Sequence, residues 1–241
     1  MRLLILSDIH GNLTALNQVV DYIKDIELDG LVLLGDFIDY GSHSNEVVEA
    51  VSKLEIPVLC NIRGNHEDAV LNNNYTRFSS SRGVESAKYT KSILTERTLE
   101  YLNNKTENAG KIVFQLMTKK ILAVHGTFED EYWGKFDCTK DLSAYSDYDI
   151  VFMGHSHCPF YYEVFYPSDN KATRNLKKTI FINPGSVGQP RNLNNAAQFA
   201  IFDTETENCE FIKLSYDINK EQKDFSDKVD VFYKTRLEVG I

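Results

Sequence analysis

The sequence predicts an α/β protein in which two β-sheets pack face to face, with helices on the outside. Two observations lead to this prediction. Up to about residue 60, short apolar runs alternate with helical patterns, which is typical of βαβ units and a parallel sheet. From residue 111 the chain carries a series of short apolar runs, which we expect to form a mainly antiparallel sheet.

The first half is predicted to contain two successive βαβ units. Its strands are the apolar runs 3–6, 31–34 and 57–60. Apolar residues recur at spacings of three and four between 13 and 26, with Asn12 as the N-cap, and a second amphipathic helix is predicted at 45–54. Right-handed crossovers would bring the three strand ends to one edge of the sheet.

The remaining segments are more polar or more strand-rich. Residues 67–110, with one or two helices between 84 and 102, are expected to form the rim of a site together with residues 127–149. Further strands are predicted at 112–116, 121–124, 150–153, 160–165, 179–182, 199–203 and 210–214, with a hairpin turn at Lys119-Lys120. Residues 216–241 are charged and lack a clear apolar pattern, and we treat 1–241 as one domain.

Composition limits the function classes. With 241 residues, 42% hydrophobic and 25% charged, the chain fits an ordinary soluble domain. A net charge of −9 disfavours extended nucleic-acid binding but allows a small phosphoester, because bound cations reverse the charge locally. No apolar run reaches the length of a membrane span, and the four cysteines lack CxxC spacing, which indicates reduced thiols and a cytoplasmic protein.

Five of the six histidines lie in short motifs at the ends of apolar runs. The motifs are Asp8-Ile9-His10, Gly64-Asn65-His66-Glu67, Val124-His125-Gly126 and Gly154-His155-Ser156-His157, and Gly35-Asp36 adds a carboxylate. Imidazole, carboxylate and amide groups gathered at strand ends indicate divalent metals. On an extended backbone, the pairs separated by two residues would point their side chains the same way, and Asp36 could bridge two metals.

Several neighbouring residues receive simpler interpretations. We expect Asp39 to accept a hydrogen bond from a ligand histidine rather than to bind metal. Glu67 is interpreted as an acid in the first turn of a helix, and His43 as a surface loop residue. Cys158 is not expected to bind metal, because the side chain next to His157 points the other way on an extended backbone.

In this order and context the motifs resemble those of the calcineurin-like metallophosphoesterases. Residues 183–188, Asn-Pro-Gly-Ser-Val-Gly, are similar to a segment of the small prokaryotic phosphodiesterase branch, and the resemblance extends from residue 1 to about residue 214. It implies a four-layer α/β/β/α sandwich of two mixed β-sheets flanked by helices. It also implies one metal held by Asp8, His10, Asp36 and His157, and another held by Asp36, Asn65, His125 and His155. The mixed oxygen and nitrogen donors suit Mn²⁺, with Fe or Zn as alternatives.

The activity expected from this resemblance is a phosphodiesterase. Two metals about 3.5–4 Å apart would lower the pKa of a bridging water, and the resulting hydroxide would attack phosphorus. His66, beside Asn65, is the expected catalytic residue that protonates the leaving group. Three alternatives stay open. They are a phosphomonoesterase or phosphoprotein phosphatase, a dinucleoside polyphosphate hydrolase, and a non-catalytic scaffold of the same fold.

The sequence that follows Asp36 bears on substrate binding. Serine/threonine phosphatases of this superfamily carry Gly-Asp-x-x-Asp-Arg-Gly, and this chain has Tyr40 at the arginine position, which argues against that branch. Arg63 and Arg191 are the candidates to supply the missing guanidinium. On the rim, Tyr132, Trp133 and Phe136 could stack on a nucleobase, with local packing as the alternative. The sequence does not predict the oligomeric state.

Overall fold

A parallel βαβαβ unit forms one side of the first sheet, and the sequence predicted this unit. The computed structural model describes residues 1–172, 174 and 176–241. The strands of the first sheet are β1 (Arg2–Leu6), β2 (Gly30–Leu33), β3 (Val58–Asn61), β9 (Ala197–Asp203) and β10 (Cys209–Leu214). They lie in the order β10-β9-β1-β2-β3, with β1, β2 and β3 parallel and with β9 antiparallel to both β1 and β10.

The second sheet is mixed. Its strands are β4 (Lys111–Leu116), β5 (Lys119–Val124), β6 (Ile150–Met153), β7 (Phe160–Phe165) and β8 (Lys178–Asn183), in the order β4-β5-β6-β8-β7. Strands β5, β6 and β8 are parallel, while β4 and β7 pair antiparallel at the edges. The predicted mainly antiparallel second sheet is therefore wrong on two counts. Its centre is parallel and buried, and the last two strands extend the first sheet.

The turn between β4 and β5 also differs from the prediction. Lys119 and Lys120 belong to β5, and the turn is formed by Met117 and Thr118. Met117 has a φ of 53°, a left-handed conformation that turns commonly require but that methionine rarely adopts. The turn was misplaced because no glycine or asparagine marks it.

The helices are α1 (Leu13–Ile23), α2 (Ser44–Ser52), α3 (Asn65–Asn72), α4 (Ser81–Ile93), α5 (Glu96–Asn104), α6 (Ile218–Lys223) and α7 (Val231–Thr235). The Asn12 side chain caps α1 as predicted, by accepting a hydrogen bond from the Ala15 amide at 3.0 Å. Helix α3 was not among the predicted elements, although the interpretation of Glu67 as an acid in the first turn of a helix agrees with it. No helix among the described residues is long and apolar enough to cross a membrane.

The two sheets pack face to face, which confirms the predicted architecture. Leu3, Ile5 and Val32 of the first sheet share a buried layer with Ile150 and Phe152 of the second. Burial of each such side chain contributes roughly 1.5–3 kcal/mol relative to exposure. Helices α1 and α2 cover the outer face of the first sheet. Residues 126–148, which include a short 3₁₀ helix at Ser143–Tyr145, supply the aromatic side chains that cover the outer face of the second.

The C-terminal segment, defined here as residues 216–241, is better packed than its charged sequence indicated. Val229, Tyr233 and Leu237 are buried, and the Tyr233 ring stacks on that of Tyr40 with 4.2 Å between centroids. Glu221 is fully buried and accepts a hydrogen bond from His43. The segment therefore packs against the loop that follows β2, at the edge of the sheet where the histidine motifs converge.

Candidate metal centre

The loops after β1, β2 and β6 adopt an uncommon backbone conformation. Five residues of the histidine and aspartate motifs have left-handed φ values of 48–61°, namely Asp8, His10, Asp36, His155 and His157. For non-glycine residues this conformation costs roughly 1–2 kcal/mol each, and it persists only where the surroundings impose it. The expectation of an extended backbone at these pairs is therefore wrong. Amide hydrogen bonds from Asp8 to the Gly35 carbonyl and from His10 to the Asp36 carbonyl hold two of these loops together.

The structure brings the predicted metal ligands together in two groups. The first group consists of Asp8, His10, Asp36 and His157, whose ligand atoms lie within 4.8 Å of one another. The Nε2 of His157 is 3.0 Å from Asp8 Oδ1 and 3.2 Å from the Nε2 of His10. All four side chains are buried, so the group is enclosed by protein.

The second group shares Asp36 with the first and adds His125 and His155, again within 4.8 Å. Asn65 completes it. The Oδ1 of Asn65 is 3.0 Å from both the Nε2 of His125 and the Nδ1 of His155. The Asp36 carboxylate therefore lies between the two groups, as a bridging ligand would.

Hydrogen bonds to the backbone set the orientation of three of the imidazoles. The Nδ1–H of His10 donates to the Ile38 carbonyl, that of His125 to the Leu34 carbonyl and that of His157 to the Gln189 carbonyl. Each ring thereby directs its Nε2 towards the cluster, as metal-ligating histidines usually do.

The donor set fits divalent cations. Asp8 Oδ1 and Asp36 Oδ2 are buried and have no hydrogen-bond partner among the described residues. The neutral imidazoles of His10 and His157 also bring their two Nε2 lone pairs to within 3.2 Å of each other. Such an arrangement of acceptors is strongly unfavourable in a protein interior unless cations lie between them. The two groups could therefore each hold a metal ion.

The protonation states of His155 and Asp36 agree with that role. Burial, followed by the nearby charge of His125, lowers the pKa of His155 to about 3, so this imidazole is neutral at physiological pH. Burial alone would raise the pKa of Asp36, but His125 and His66 reverse the effect and hold it well below its usual range. Neutral imidazole and ionised carboxylate are the forms that bind metal. Burial lowers the pKa of His125, but Asp36 outweighs this effect and raises it to about 9, so a metal ion would replace a proton on this imidazole.

His66 lies beside the cluster and is oriented by Asp39. Its Nδ1–H donates to Asp39 Oδ2 at 2.6 Å, and its backbone amide donates to Asp36 Oδ1. The expectation that Asp39 serves a ligand histidine is therefore wrong, because it serves the predicted catalytic one. Burial lowers the pKa of His66, but Asp36 and Asp39 outweigh this effect and raise it above its ordinary value. This direction favours the proton-donating form of the imidazole.

Glu67 has a larger structural role than that of the first-turn acid inferred from the sequence. It is fully buried, and its carboxylate accepts backbone N–H groups from Asp36, Phe37, Ile38 and Gly64 at 2.7–3.1 Å. It therefore joins the start of α3 to the loop that carries Asp36. Its position three residues after the Gly64 N-cap was the available signal, since a glutamate there can accept the N-cap backbone N–H, as in one half of a capping box.

A cavity of about 310 Å³ opens over the cluster. Its walls include His66, His155 and His157, the aromatic rings of Tyr40, Phe78 and Trp133, and the cations Arg77, Lys135 and Arg191. Both segments predicted to form the rim contribute side chains, Phe78 from one and Trp133 from the other. The cavity thus places a partly aromatic, partly cationic surface next to the candidate metal ligands.

Comparison with known proteins agrees with this geometry. The family model described as the calcineurin-like phosphoesterase superfamily domain matches residues 1–207. The chain belongs to the calcineurin-like phosphoesterase superfamily. This assignment confirms the resemblance inferred from the motifs, and it makes the protein a hydrolase of phosphoesters by family.

Individual proteins share the sequence or the fold. The phosphoesterase is 32% identical over 223 residues to an uncharacterized protein of Methanocaldococcus jannaschii, with 90% of this chain and 88% of that protein covered. A metallophosphoesterase from Sphaerobacter thermophilus has a TM-score of 0.76 and 26% identity over 100% of this chain and 99% of its own. A hypothetical protein from Pyrococcus horikoshii shares the fold, with a TM-score of 0.78, 20% identity, and coverage of 100% and 98%.

Of the two arginines predicted to bind substrate, the structure brings one to the cavity of the phosphoesterase. Arg191 lines the cavity beside Tyr40. Arg63 is buried elsewhere, where its guanidinium donates to the Leu102 carbonyl and to Thr106 Oγ1. Arg63 therefore stabilises the end of α5 and the loop after it, and this geometry does not support a role in substrate binding.

The other residues singled out from the sequence lie in different surroundings. Trp133 faces the cavity, 5.9 Å from His155 between ring centroids, whereas Phe136 stacks on Phe160 in the core. The Tyr132 hydroxyl donates to the Asn108 carbonyl. The Cys158 thiol donates to the Arg191 carbonyl, outside both ligand groups. His43 is not a simple surface residue, since its side chain is 20% exposed and pairs with Glu221 and Asp224.

Proposed function

We propose that this protein is a metal-dependent phosphodiesterase that acts on a small phosphoester at a dinuclear centre. One observation carries the proposal: two ligand groups share Asp36, and His66 lies on the cavity directly beside them. Metal ions held there would supply Lewis-acid stabilisation of the phosphoryl charge and would lower the pKa of a water molecule. We favour Mn²⁺, with iron and zinc as the alternatives, because the donors mix imidazole with carboxylate and amide oxygen.

The protein's own contribution is the proton for the leaving oxygen. An alkoxide is a poor leaving group, and general-acid catalysis lowers that barrier. His66 is suited to this step, because its Nδ1–H is engaged by Asp39 and its Nε2 is the nitrogen left for the cavity that it lines. In this role His66 Nε2 gives its proton to the departing ester oxygen, and Asp39 stabilises the orientation of the ring.

Two features favour a diester over a monoester. A monoester dianion carries more charge on its non-bridging oxygens, and at position 40 a neutral phenol stands in place of the guanidinium of the protein phosphatases. Burial, followed by Asp39, raises the pKa of Tyr40 well above its ordinary value, so it does not ionise. The aromatic surface of Phe78 and Trp133 next to His155 offers space for the second substituent of a diester.

The test combines metal analysis with two substrates. We expect purified protein to bind divalent metal and to hydrolyse bis(4-nitrophenyl) phosphate at least about 10-fold more efficiently than 4-nitrophenyl phosphate, measured as kcat/KM with Mn²⁺, Fe²⁺ or Zn²⁺. Asp36→Ala should lose both metal and activity, and Asp147→Ala, at an exposed aspartate, should keep both. Preference for the monoester would identify a phosphatase instead. Absence of metal and of hydrolysis would identify a scaffold.

A further inference from the structure

Arg191 carries a guanidinium whose hydrogen-bonding capacity is only partly used. One of its terminal nitrogens donates to Gln189 Oε1 at 3.1 Å. Its Nε is buried and has no hydrogen-bond partner among the described residues. Burying such an N–H without an acceptor costs about 1–3 kcal/mol, and more when the group is charged. Arg191 also lines the cavity over the metal ligands, where its guanidinium could meet an anionic ligand.

Gln189 joins this arginine to the metal ligands. Its backbone carbonyl accepts the Nδ1–H of His157 at 2.5 Å, while its side-chain oxygen accepts the hydrogen bond from Arg191. The Arg191 backbone amide in turn donates to the His157 carbonyl at 3.3 Å. The guanidinium is therefore held in a fixed relation to a ligand of the first group.

A second arginine, from the C-terminal segment, converges on the same side chain. Arg236 donates through Nη1 to Gln189 Oε1 at 3.0 Å. Neither Arg191 nor Arg236 forms an ion pair with an aspartate or glutamate side chain among the described residues. Burial, followed by the charge of Arg191, lowers the pKa of Arg236 to about 10. Arg236 also donates through Nε to the backbone oxygen of Ile241, whereas the Arg191 guanidinium donates to Gln189 Oε1. This neutral amide oxygen does not balance the charge of Arg191, so the arrangement favours an anion near that guanidinium.

We propose that Arg191, oriented by Gln189 and braced by Arg236, binds a non-bridging phosphoryl oxygen of the substrate beside the metal centre. The proposal rests on the proposed function for the identity of the ligand. A guanidinium suits a tetrahedral oxyanion because it offers two parallel N–H donors. Arg191 thereby supplies one positive charge at the cavity, which suits the single negative charge of a diester, while the neutral Tyr40 is fixed against Tyr233.

This assignment makes the C-terminal segment part of the substrate site. The family model ends at residue 207, and Arg236 lies beyond it. Arg236 is a positioning residue, since it acts on substrate through Gln189 and Arg191. Arg82 offers a matched control, because its guanidinium lies over the same Phe232 ring as that of Arg236, at 3.9 Å and 4.8 Å respectively, yet it does not line the cavity.

The first experiment measures inorganic phosphate binding by calorimetry, with the full-length protein both chelated and loaded with Mn²⁺. We expect Arg191→Met to weaken phosphate binding roughly 10-fold or more, in line with the loss of a charge-assisted hydrogen bond, and Arg82→Met to leave it unchanged. An unchanged affinity in Arg191→Met overturns the proposal, as does failure of the wild-type protein to bind phosphate in either form. Because phosphate is also titrated into chelated protein, this result is independent of metal binding and hydrolysis, on which the proposed function depends.

The second experiment tests whether Arg236 positions Gln189 and Arg191 or only stabilises the fold. Arg236→Met should weaken phosphate binding by about 2–5-fold and raise KM for the diester more than it lowers kcat, while Arg236→Lys, which keeps a donor for Gln189, should recover most of the loss. A structural defect alone would lower the melting temperature without this split. If Arg236→Met binds phosphate as tightly as Arg82→Met does, Arg236 does not position Arg191.

Discussion

The Nδ1–H of His66 donates to Asp39 Oδ2 at 2.6 Å in a part of the protein where both side chains are buried. The other oxygen of Asp39 is fully engaged, since Oδ1 accepts from the Tyr40 amide, the Ser86 hydroxyl and the Thr90 hydroxyl. The carboxylate is therefore fixed by α4 and by its own loop, and it fixes the imidazole in turn. The pair has the geometry of a general acid and the group that orients it.

The substitution Asp39→Asn tests this pair. The amide oxygen can keep the three hydrogen bonds made by Oδ1, but its NH₂ group would face His66 Nδ1 and require the opposite tautomer of the ring. We expect kcat to fall on the order of 10²-fold or more, by analogy with the loss of an orienting carboxylate in hydrolytic triads, with metal content unchanged. Asp68→Asn, on α3 but outside the cavity lining, is the control. A variant Asp39→Asn with wild-type kcat would show that Asp39 is only structural.

The substitution His66→Ala tests the proton donor itself. No nitrogen of His66 belongs to either ligand group, so metal content should stay at the wild-type level by elemental analysis. Turnover should fall roughly 10²–10⁴-fold, the usual range for a lost general acid. The loss should be larger for an alkyl than for a nitrophenyl leaving group, because nitrophenolate needs less protonation. Hydrolysis of the aryl diester at the wild-type rate would falsify the role, and His43→Ala is the matched control.

The sequence predicted the parts of this molecule that depend on local pattern. Strands β6 and β7 begin and end where their apolar runs do, and Asn12 caps α1 as its side-chain chemistry requires. The convergence of Asp8, Asp36 and Asn65 followed from parallel strands ending at one edge. Local composition and handed crossovers are sufficient for such features.

Long-range pairing could not be predicted in this way. Strand β9 is buried along nearly its whole length, yet nothing in its composition indicates whether it joins β1 or the second sheet. The C-terminal segment is similar, because Tyr233 and Arg236 acquire their roles only through Tyr40 and Gln189, more than forty residues away. Such partners are decided by the tertiary fold, which overrides local propensity.

The left-handed residues at the cluster also have no sequence signal. A glycine such as Gly35, with a φ of 87°, indicates a left-handed backbone conformation, but Asp8 and His155 adopt this conformation without being glycine. Their strain is supported by neighbouring hydrogen bonds and is typical of functional sites. The site residues could thus be identified from their chemistry. The backbone conformation that brings them together could not be predicted.

Glu67 is predicted to stabilise both the fold and the ligand Asp36. In Glu67→Gln one carboxylate oxygen becomes an NH₂ group that would face two backbone N–H donors, so hydrogen bonds are lost and donors oppose each other. We expect the free energy of unfolding in urea to fall by about 3–5 kcal/mol and metal affinity to weaken by about 10–100-fold. Glu46→Gln, at an exposed acid of α2, should change neither. A urea midpoint equal to that of the wild type would contradict the structural role of Glu67.

Chelation should destabilise the protein. Without cations, the buried acceptor atoms Asp8 Oδ1 and Asp36 Oδ2 have no partner, so metal binds the folded chain in preference to the unfolded one. Free metal at about 100 times its dissociation constant adds about 2.7 kcal/mol, which for a chain of this size raises Tm by roughly 5–10 °C. Differential scanning calorimetry with EDTA and with Mn²⁺ measures the shift. Asp36→Ala should abolish it, and a shift that survives in this variant would place the metal elsewhere.

His43 gives the fold a predictable dependence on pH. Its hydrogen bond to buried Glu221 is the main cause that raises its pKa above 6.5, against the opposing effect of burial, and Glu46 and Asp224 add to the increase. A histidine with a raised folded-state pKa contributes stability that is fully present below the unfolded value. That contribution is lost as pH rises through the folded value.

We therefore expect the wild-type protein to be more stable than His43→Gln below about pH 6.5, and we expect this difference to shrink as pH rises. Urea denaturation of both proteins from about pH 5.5 to about pH 9 measures it, with chelator present throughout so that metal binding does not contribute. We assign the pH dependence of this difference to the imidazole, because the ordinary pKa of histidine lies within this range. A difference that is constant with pH would mean that the ring acts by packing alone. A difference that grows with pH would reverse the sign of the interaction.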